Sequence, residues 1–245
     1  MYGEQLFRVS YKNIDSECGR LFVFPYAGGG ASVFRNWQKE FKDINVFAAQ
    51  YPGREDRIAE DPIKNFHELL QEIFLSIIDF IPENNNYYFF GHSLGTKIIY
   101  ELALKLKKEK NTVPRRIIVA GGRAPCFKEM NPIYNLNDEE FIKELKRFSG
   151  TPEKILANNE LMNIFLPMLR ADFEIDEKYE NKVIEKLDCS ILGLMGTEDS
   201  ELTLDELMKW SEYTNKDFNC KKIEGGHMFI NTNYIQVINC IKEFM

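Results

Sequence analysis

The sequence predicts a three-layer α/β fold with a mostly parallel central sheet and helices on both faces, on three observations. Short apolar runs bounded by glycine or proline turns recur along the chain. Amphipathic stretches with apolar residues at three- and four-residue steps fall between those runs. One run, Tyr87 to Phe90, leads directly into Gly91-His92-Ser93-Leu94-Gly95 and then a helical pattern, which is the strand, sharp turn and helix that G-x-S-x-G requires. Alternation of strand and helix forces neighbouring strands to be parallel.

In chain order, Leu21-Phe22-Val23-Phe24 reads as a buried strand that runs into Pro25-Tyr26-Ala27-Gly28-Gly29-Gly30. The three glycines allow close backbone approach to a ligand. The stretch lacks both the Gly-Lys-Ser/Thr ending of a phosphate loop and the G-x-G-x-x-G spacing, so nucleotide binding is not its reading. Val33, Phe34, Trp37 and Phe41 mark a helix, and Val46 to Ala49 a second strand ended by Tyr51-Pro52-Gly53. Phe66, Leu69, Leu70, Ile73, Phe74, Ile77, Ile78 and Ile81 give one apolar helix face that Pro82 terminates. After the G-x-S-x-G unit, Ile98, Ile99, Leu102 and Leu106 continue a helix, and Ile117 to Ala120 forms a strand before Gly121-Gly122.

From Arg123 to about Lys186 the rhythm breaks into short helical pieces. Asn137 or Asp138 caps one, Gly150 stops it, Thr151-Pro152-Glu153 starts another, and Pro167 ends or kinks a third. Helices inserted between two sheet strands are the usual form of a lid over a pocket, and long connections in compact domains tend to be functional. The sheet resumes at Cys189 to Met195, followed by Gly196-Thr197-Glu198-Asp199 and a helix through Leu204, Leu207 and Met208. Asn219 to Ile223 makes the last strand, Gly225-Gly226-His227 follows, and Ile235, Ile238, Ile241 and Phe244 close the chain as a helix. No repeat or linker divides the sequence, so residues 1–245 read as one domain with a helical lid at about 123–186.

Composition narrows the function classes. A 44% hydrophobic and 13% aromatic content supports a large core. The net charge of −7, with no basic run interleaved with aromatics, argues against a nucleic-acid partner. Met1 to Lys12 has no apolar core of signal-peptide length and no run is long enough to span a bilayer, so a cytoplasmic location with no membrane partner is expected. Cys18, Cys126, Cys189, Cys220 and Cys240 are widely spaced without any C-x-x-C, and read as reduced, mostly buried thiols, with Cys126 in a loop.

The chemistry follows from what a serine needs. Its hydroxyl is a weak nucleophile near neutral pH and requires a base within hydrogen-bond reach, itself oriented by an acid. The tight turn crowds the positions two before and two after Ser93, which Gly91 and Gly95 occupy. Among the three histidines, His92 is directed away by the turn and His67 lies in an amphipathic helix, which leaves His227 as the base. In the chain order Ser, Asp, His, the acid sits at the end of the intervening strand, where Asp199 stands one turn past Gly196. Glu198 and, with a longer loop, Asp205 are the alternatives. The amide of Leu94, at a helix start, and that of Ala27 or its neighbour Gly28 are placed to face an oxyanion. Ser93, His227 and Asp199 so arranged form a serine acyl hydrolase needing no metal or organic cofactor.

With those residues laid out, the sequence resembles the type II thioesterases, stand-alone editing hydrolases that accompany nonribosomal peptide and polyketide synthases. Phe24-Pro25-Tyr26-Ala27-Gly28-Gly29 resembles their P-[FY]-A-G-G loop, Tyr51-Pro52-Gly53-Arg54-Glu55-Asp56-Arg57 their Y-P-G-R-E-x-R segment, and Gly91-His92-Ser93-Leu94-Gly95 their G-H-S-[ML]-G elbow. Gly150-Thr151-Pro152-Glu153 and Leu166-Pro167-Met168-Leu169-Arg170-Ala171-Asp172 are similar to their lid. The resemblance implies an α/β-hydrolase fold. It also implies, as substrate and partner, acyl or aminoacyl groups held by thioester on the phosphopantetheine arm of a peptidyl or acyl carrier protein. The rival functions are a carboxylesterase or lipase, a chain-terminating thioesterase related to fatty-acid synthesis, and a catalytically silent binding module, which an intact Ser93, Asp199 and His227 argue against.

Overall fold

The computed structural model describes residues 6–9, 18–181 and 183–245. The reading of Met1 to Lys12 falls mostly outside these residues, as does Lys182 of the inserted segment. The described strands form one sheet of order β1-β3-β2-β4-β5-β6-β7: β1 Phe7–Val9, β2 Gly19–Phe24, β3 Ile44–Ala49, β4 Tyr87–His92, β5 Arg116–Ala120, β6 Ser190–Gly196 and β7 Phe218–Ile223. Every pairing is parallel except β1 on β3, where Phe7 lies opposite Ala49. The antiparallel β1 has no signal in the sequence, since three residues carry too little periodicity to mark a strand.

Side chains alternate across the central strands. Phe22, Phe24, Tyr87 and Phe89 join one core with the helices α1 (Phe66–Ile77) and α2 (Leu94–Lys110), while Leu21, Val23, Tyr88 and Phe90 join another with the closing helix α8 (Tyr234–Phe244). These two cores hold β4 rigidly between layers, and β4 delivers Ser93. The helix expected through Val33 to Phe41 is instead two 3₁₀ turns, Ala31–Phe34 and Trp37–Glu40, neither with a side-chain cap. Tertiary packing overrides the helical spacing there: Phe34 and Trp37 each meet the Phe90 ring edge-on, at 6.1 and 4.9 Å between centroids.

Between β5 and β6 lie α3 (Asp138–Phe148), α4 (Glu153–Leu156) and α5 (Asn159–Lys178). Asn137 caps α3 as expected, accepting from the Glu140 amide at 3.0 Å. The stop falls one residue before Gly150, on Ser149 in the left-handed region (φ 54°), and α4 is capped by Pro152 without a side-chain bond. Pro167 neither ends nor breaks α5, which runs 20 residues through it. The proline sits on the exposed face, while Met162, Met168, Leu169 and Phe173 bury the opposite face. With Ile133, Phe141, Leu145 and Leu156 these residues form a separate small core.

The cysteines are less buried than expected: Cys189 and Cys240 are buried, Cys18 is half-buried, and Cys126 and Cys220 are exposed. Cys220 lies on β7, the edge strand, whose outward residues face solvent. Among the described residues no helix is long and apolar enough to cross a membrane. The helices α6 (Leu204–Met208) and α7 (Phe229–Thr232) follow β6 and β7.

Candidate active site

Four turns at the carboxyl ends of β2, β4, β6 and β7 converge, the usual place for a site in an open parallel sheet. Ser93 has φ 51° and ψ −114°, a strained conformation for a residue with a side chain and one that costs about 1–3 kcal/mol. The surroundings hold it there. Its amide donates to the Ala120 carbonyl at 2.8 Å, and its carbonyl accepts from the Thr96 amide and hydroxyl at 2.9 and 2.7 Å. A Cβ on Gly91 would lie 2.3 Å from the Gly95 carbonyl oxygen, and one on Gly95 2.3 Å from that of Phe24, so neither position accommodates a side chain. Ser93 stands at the N-cap of α2 but makes no capping bond with its hydroxyl, which lines the cleft. The Leu94 amide opens the helix at its positive end.

His227 and Asp199 meet across 28 residues of chain, with His227 Nδ1 at 3.1 and 3.0 Å from the two carboxylate oxygens. A carboxylate only accepts, so Nδ1 carries the proton and Nε2 is the basic nitrogen. The Asp199 side chain is fully buried and also accepts from the Glu201 amide at 2.9 Å. Gly196 permits this meeting: a Cβ there would lie 2.4 and 2.5 Å from the carbonyl oxygens of Gly225 and Gly226, so the loops after β6 and β7 lie directly against each other. Gly225 takes φ 110°, which turns the chain back toward Asp199. Glu198 and Asp205 are exposed, Asp205 in the first turn of α6, and neither reaches His227. His67 is exposed on α1.

His92 is directed away from Ser93 but is not idle. Fully buried, it places Nε2 3.0 Å from the His227 carbonyl oxygen, so it donates there and braces the loop that carries His227. Burial first, then the neighbouring His227, hold the His92 imidazole well below its usual 6.5, and it stays neutral. Gly121 lies against both rings: a Cβ would come within 3.2 Å of His92 and 3.4 Å of His227.

On the β2 side, Tyr26-Ala27-Gly28-Gly29 is a turn closed by the Gly29 amide on the Tyr26 carbonyl at 2.8 Å, with Gly28 at φ 83°, the signature of type II. The Gly28 amide is committed to Asp172 Oδ2 at 2.7 Å, which leaves the Ala27 amide as the candidate oxyanion donor. Arg54, Glu55 and Arg57 buttress this loop rather than line the cleft. Arg54 donates to the Gly29 carbonyl and Glu55 accepts from the Ser32 amide, while Arg57 holds the Gln50 carbonyl and Gln50 in turn holds the Ala31 amide. Arg54 and Asp172 appeared in the sequence only within longer matched stretches, and nothing local signalled that they pair across 118 residues.

Two clefts open at Ser93 and His227. One is of mixed character, with Lys97, Arg123, Glu129 and Asp176 on its walls beside Phe127 and Phe148. The other lies beneath the inserted helices and is walled by Tyr26, Leu145, Phe148, Phe173 and Met228.

The thioesterase domain family model matches residues 19–245. Among characterised relatives, the gramicidin S biosynthesis protein GrsT of Aneurinibacillus migulanus is 39% identical over 230 residues, covering 92% of this chain and 87% of the relative. The thioesterase PikA5 of Streptomyces venezuelae is 33% identical, covering 92% of this chain and 80% of its own. The solved structure of the type II thioesterase BorB from the borrelidin biosynthetic cluster superposes with a TM-score of 0.86 at 29% identity, covering 97% of this chain and 96% of BorB.

Proposed function

This chain belongs to the thioesterase domain family, and from that membership we propose how it hydrolyses thioesters, with which residues, and on which partner. Ser93 Oγ attacks the thioester carbonyl carbon as His227 Nε2 takes its proton. The Ala27 and Leu94 amides donate to the oxyanion, and Asp199 holds the imidazole in its tautomer and stabilises the imidazolium. Collapse of the tetrahedral adduct expels the thiol, which leaves with the proton from His227. Water, activated by the same nitrogen, then frees the acid and restores Ser93. The observation that carries this reading is the Nδ1 contact on both Asp199 oxygens, which leaves Nε2 as the free ring nitrogen, together with Ser93, uncapped on a strained elbow, lining the same two clefts as His227.

The substrate we propose is an acyl or aminoacyl group on the phosphopantetheine arm of a peptidyl or acyl carrier protein. Support comes from relatives named for gramicidin S biosynthesis and for the borrelidin biosynthetic cluster, and from the two clefts at Ser93. In this reading the acyl group takes the side walled by Leu145, Phe148 and Phe173, and the arm takes the side that carries Lys97, Arg123 and Glu129. We also read the chain as a single α/β-hydrolase domain with residues 123–186 as its lid. The test compares one acyl group presented as the carrier thioester and as a p-nitrophenyl ester. Higher kcat/KM on the carrier thioester, by about tenfold or more, is expected; an ester preference assigns the chain to carboxylesterase chemistry instead.

A further inference from the structure

The peptide groups that flank Ala27 are fixed on both sides, and one of the anchors comes from the inserted helices. In a trans peptide the carbonyl and the N–H point in opposite directions. The Tyr26 carbonyl turns inward to the Gly29 amide at 2.8 Å, so the Ala27 N–H of the same peptide is turned outward. The next N–H, that of Gly28, is drawn the other way by Asp172 Oδ2 at 2.7 Å. Asp172 belongs to α5 and is only 2% exposed.

A buried carboxylate needs a partner, and Asp172 has a two-pronged one. Arg54 approaches both oxygens, at 2.5 Å from Nη1 to Oδ2 and 2.8 Å from Nη2 to Oδ1, in the fork geometry that fixes an angle as well as a distance. The Arg54 guanidinium is itself held by the carbonyls of Pro52 and Gly29 and lies over the Tyr51 ring, 5.2 Å from its centroid. One turn earlier on α5, Leu169 occupies the space a side chain on Gly28 would need, 2.6 Å from an ideal Cβ. The turn is therefore gripped by α5 twice, through an ionised acceptor at Asp172 and an apolar contact at Leu169.

We infer that Asp172 is a positioning residue, holding the Ala27 amide in donor geometry through the Gly28 amide and thereby tying the placement of α5 to the strength of the oxyanion hole. The inference rests on the reading of Ala27 as an oxyanion donor. Its consequence is that the α5 half of the inserted segment must be seated for turnover, while α3 and α4 are free of this constraint.

The test uses Asp172→Glu, which keeps the charge opposite Arg54 and moves the acceptor by one methylene. Three measurements are made on the full chain: kcat and KM on an acyl thioester, and the inhibition constant of an arylboronic acid, whose serine adduct places an oxygen in the oxyanion hole. The expected result is a kcat about 10- to 100-fold lower, a boronate constant weakened by a similar factor, and a KM within about threefold, because misplaced oxyanion donors cost rate rather than ground-state binding. Should Asp172→Glu fail to fold, the Arg54→Gln/Asp172→Asn double variant removes both charges together, and the same three measurements decide. A folded variant with parental kcat, or a kcat loss that the boronate constant does not follow, overturns the inference. If the unaltered protein binds no boronate at Ser93, the serine reading itself fails and the inference falls with it.

Discussion

Gly95→Ala places the crowding at the elbow under direct test. The added Cβ would sit 2.3 Å from the Phe24 carbonyl oxygen, 2.9 Å from its carbon and 3.1 Å from the Pro25 carbonyl oxygen. All three atoms are backbone, so no side chain can swing aside. To reach even 3.0 Å, the start of α2 and the 24–25 peptide must separate by at least roughly 0.7 Å. That peptide feeds the turn carrying Ala27, and Gly95 lies two residues past Ser93, so the two halves of the site move apart. Overpacking of this kind costs about 1–3 kcal/mol, or roughly 2–12 °C in Tm for a chain of this size. A misplacement near 1 Å costs about 100-fold in rate. Steady-state hydrolysis of an acyl thioester, with circular dichroism to confirm folding, reads both effects. Gly226→Ala is the matched control beside His227: its Cβ would meet nothing closer than the Glu198 carbonyl oxygen at 3.8 Å, an ordinary contact, and kcat should stay within about twofold. A parental rate in Gly95→Ala, or an equal loss in Gly226→Ala, would refute the assignment of the elbow as the constrained part of the site.

Asp199→Asn should keep its fold and lose about 10⁴-fold in kcat, whereas Glu198→Gln, exposed and away from the imidazole, should change it less than twofold. His92 is held neutral in the folded protein with its pKa below the ordinary 6.5, so the unfolded chain binds the extra proton and stability should fall as pH drops below about 6.5. Urea midpoints at several pH values should show a shallower fall in His92→Asn. Hydrogen exchange should be faster across α3 and α4 than across residues 168–178 of α5, which Asp172, the Lys97–Asp176 ion pair at 2.7 Å and the Glu177 bonds to the Ile133 and Tyr134 amides fasten down. Uniform protection from 138 to 178 would contradict that division.

The parallel sheet, the elbow and the members of the proposed triad were legible because each rests on local pattern: apolar runs, glycines at fixed offsets, and polar residues just past strand ends. What was hidden depends on distance along the chain. Arg54 and Asp172 lie 118 residues apart, and no spacing rule relates them. His92 was read only for what it cannot do to Ser93, since its bond to the His227 carbonyl spans 135 residues. The choice between Ala27 and Gly28 needed the Asp172 contact, which a turn sequence does not contain. Pro167 does not end α5 for another reason: its local cost applies on an exposed face too, and what carries the helix through is the packing of Met162, Met168, Leu169 and Phe173 on the opposite face, which is tertiary. The two 3₁₀ turns at 31–40 show a tertiary override, with Phe34 and Trp37 anchored on Phe90 in place of a regular helix.

The most direct measurement of the central claim is the mass of the protein quenched in acid during turnover of an acylated carrier protein. The mechanism predicts one acyl group added to the protein, located by peptide mapping on the fragment that contains Ser93. It also predicts no adduct and no hydrolysis above background in Ser93→Ala. An acyl group on any other residue, or a Ser93→Ala protein that turns over at the parental rate, would contradict it.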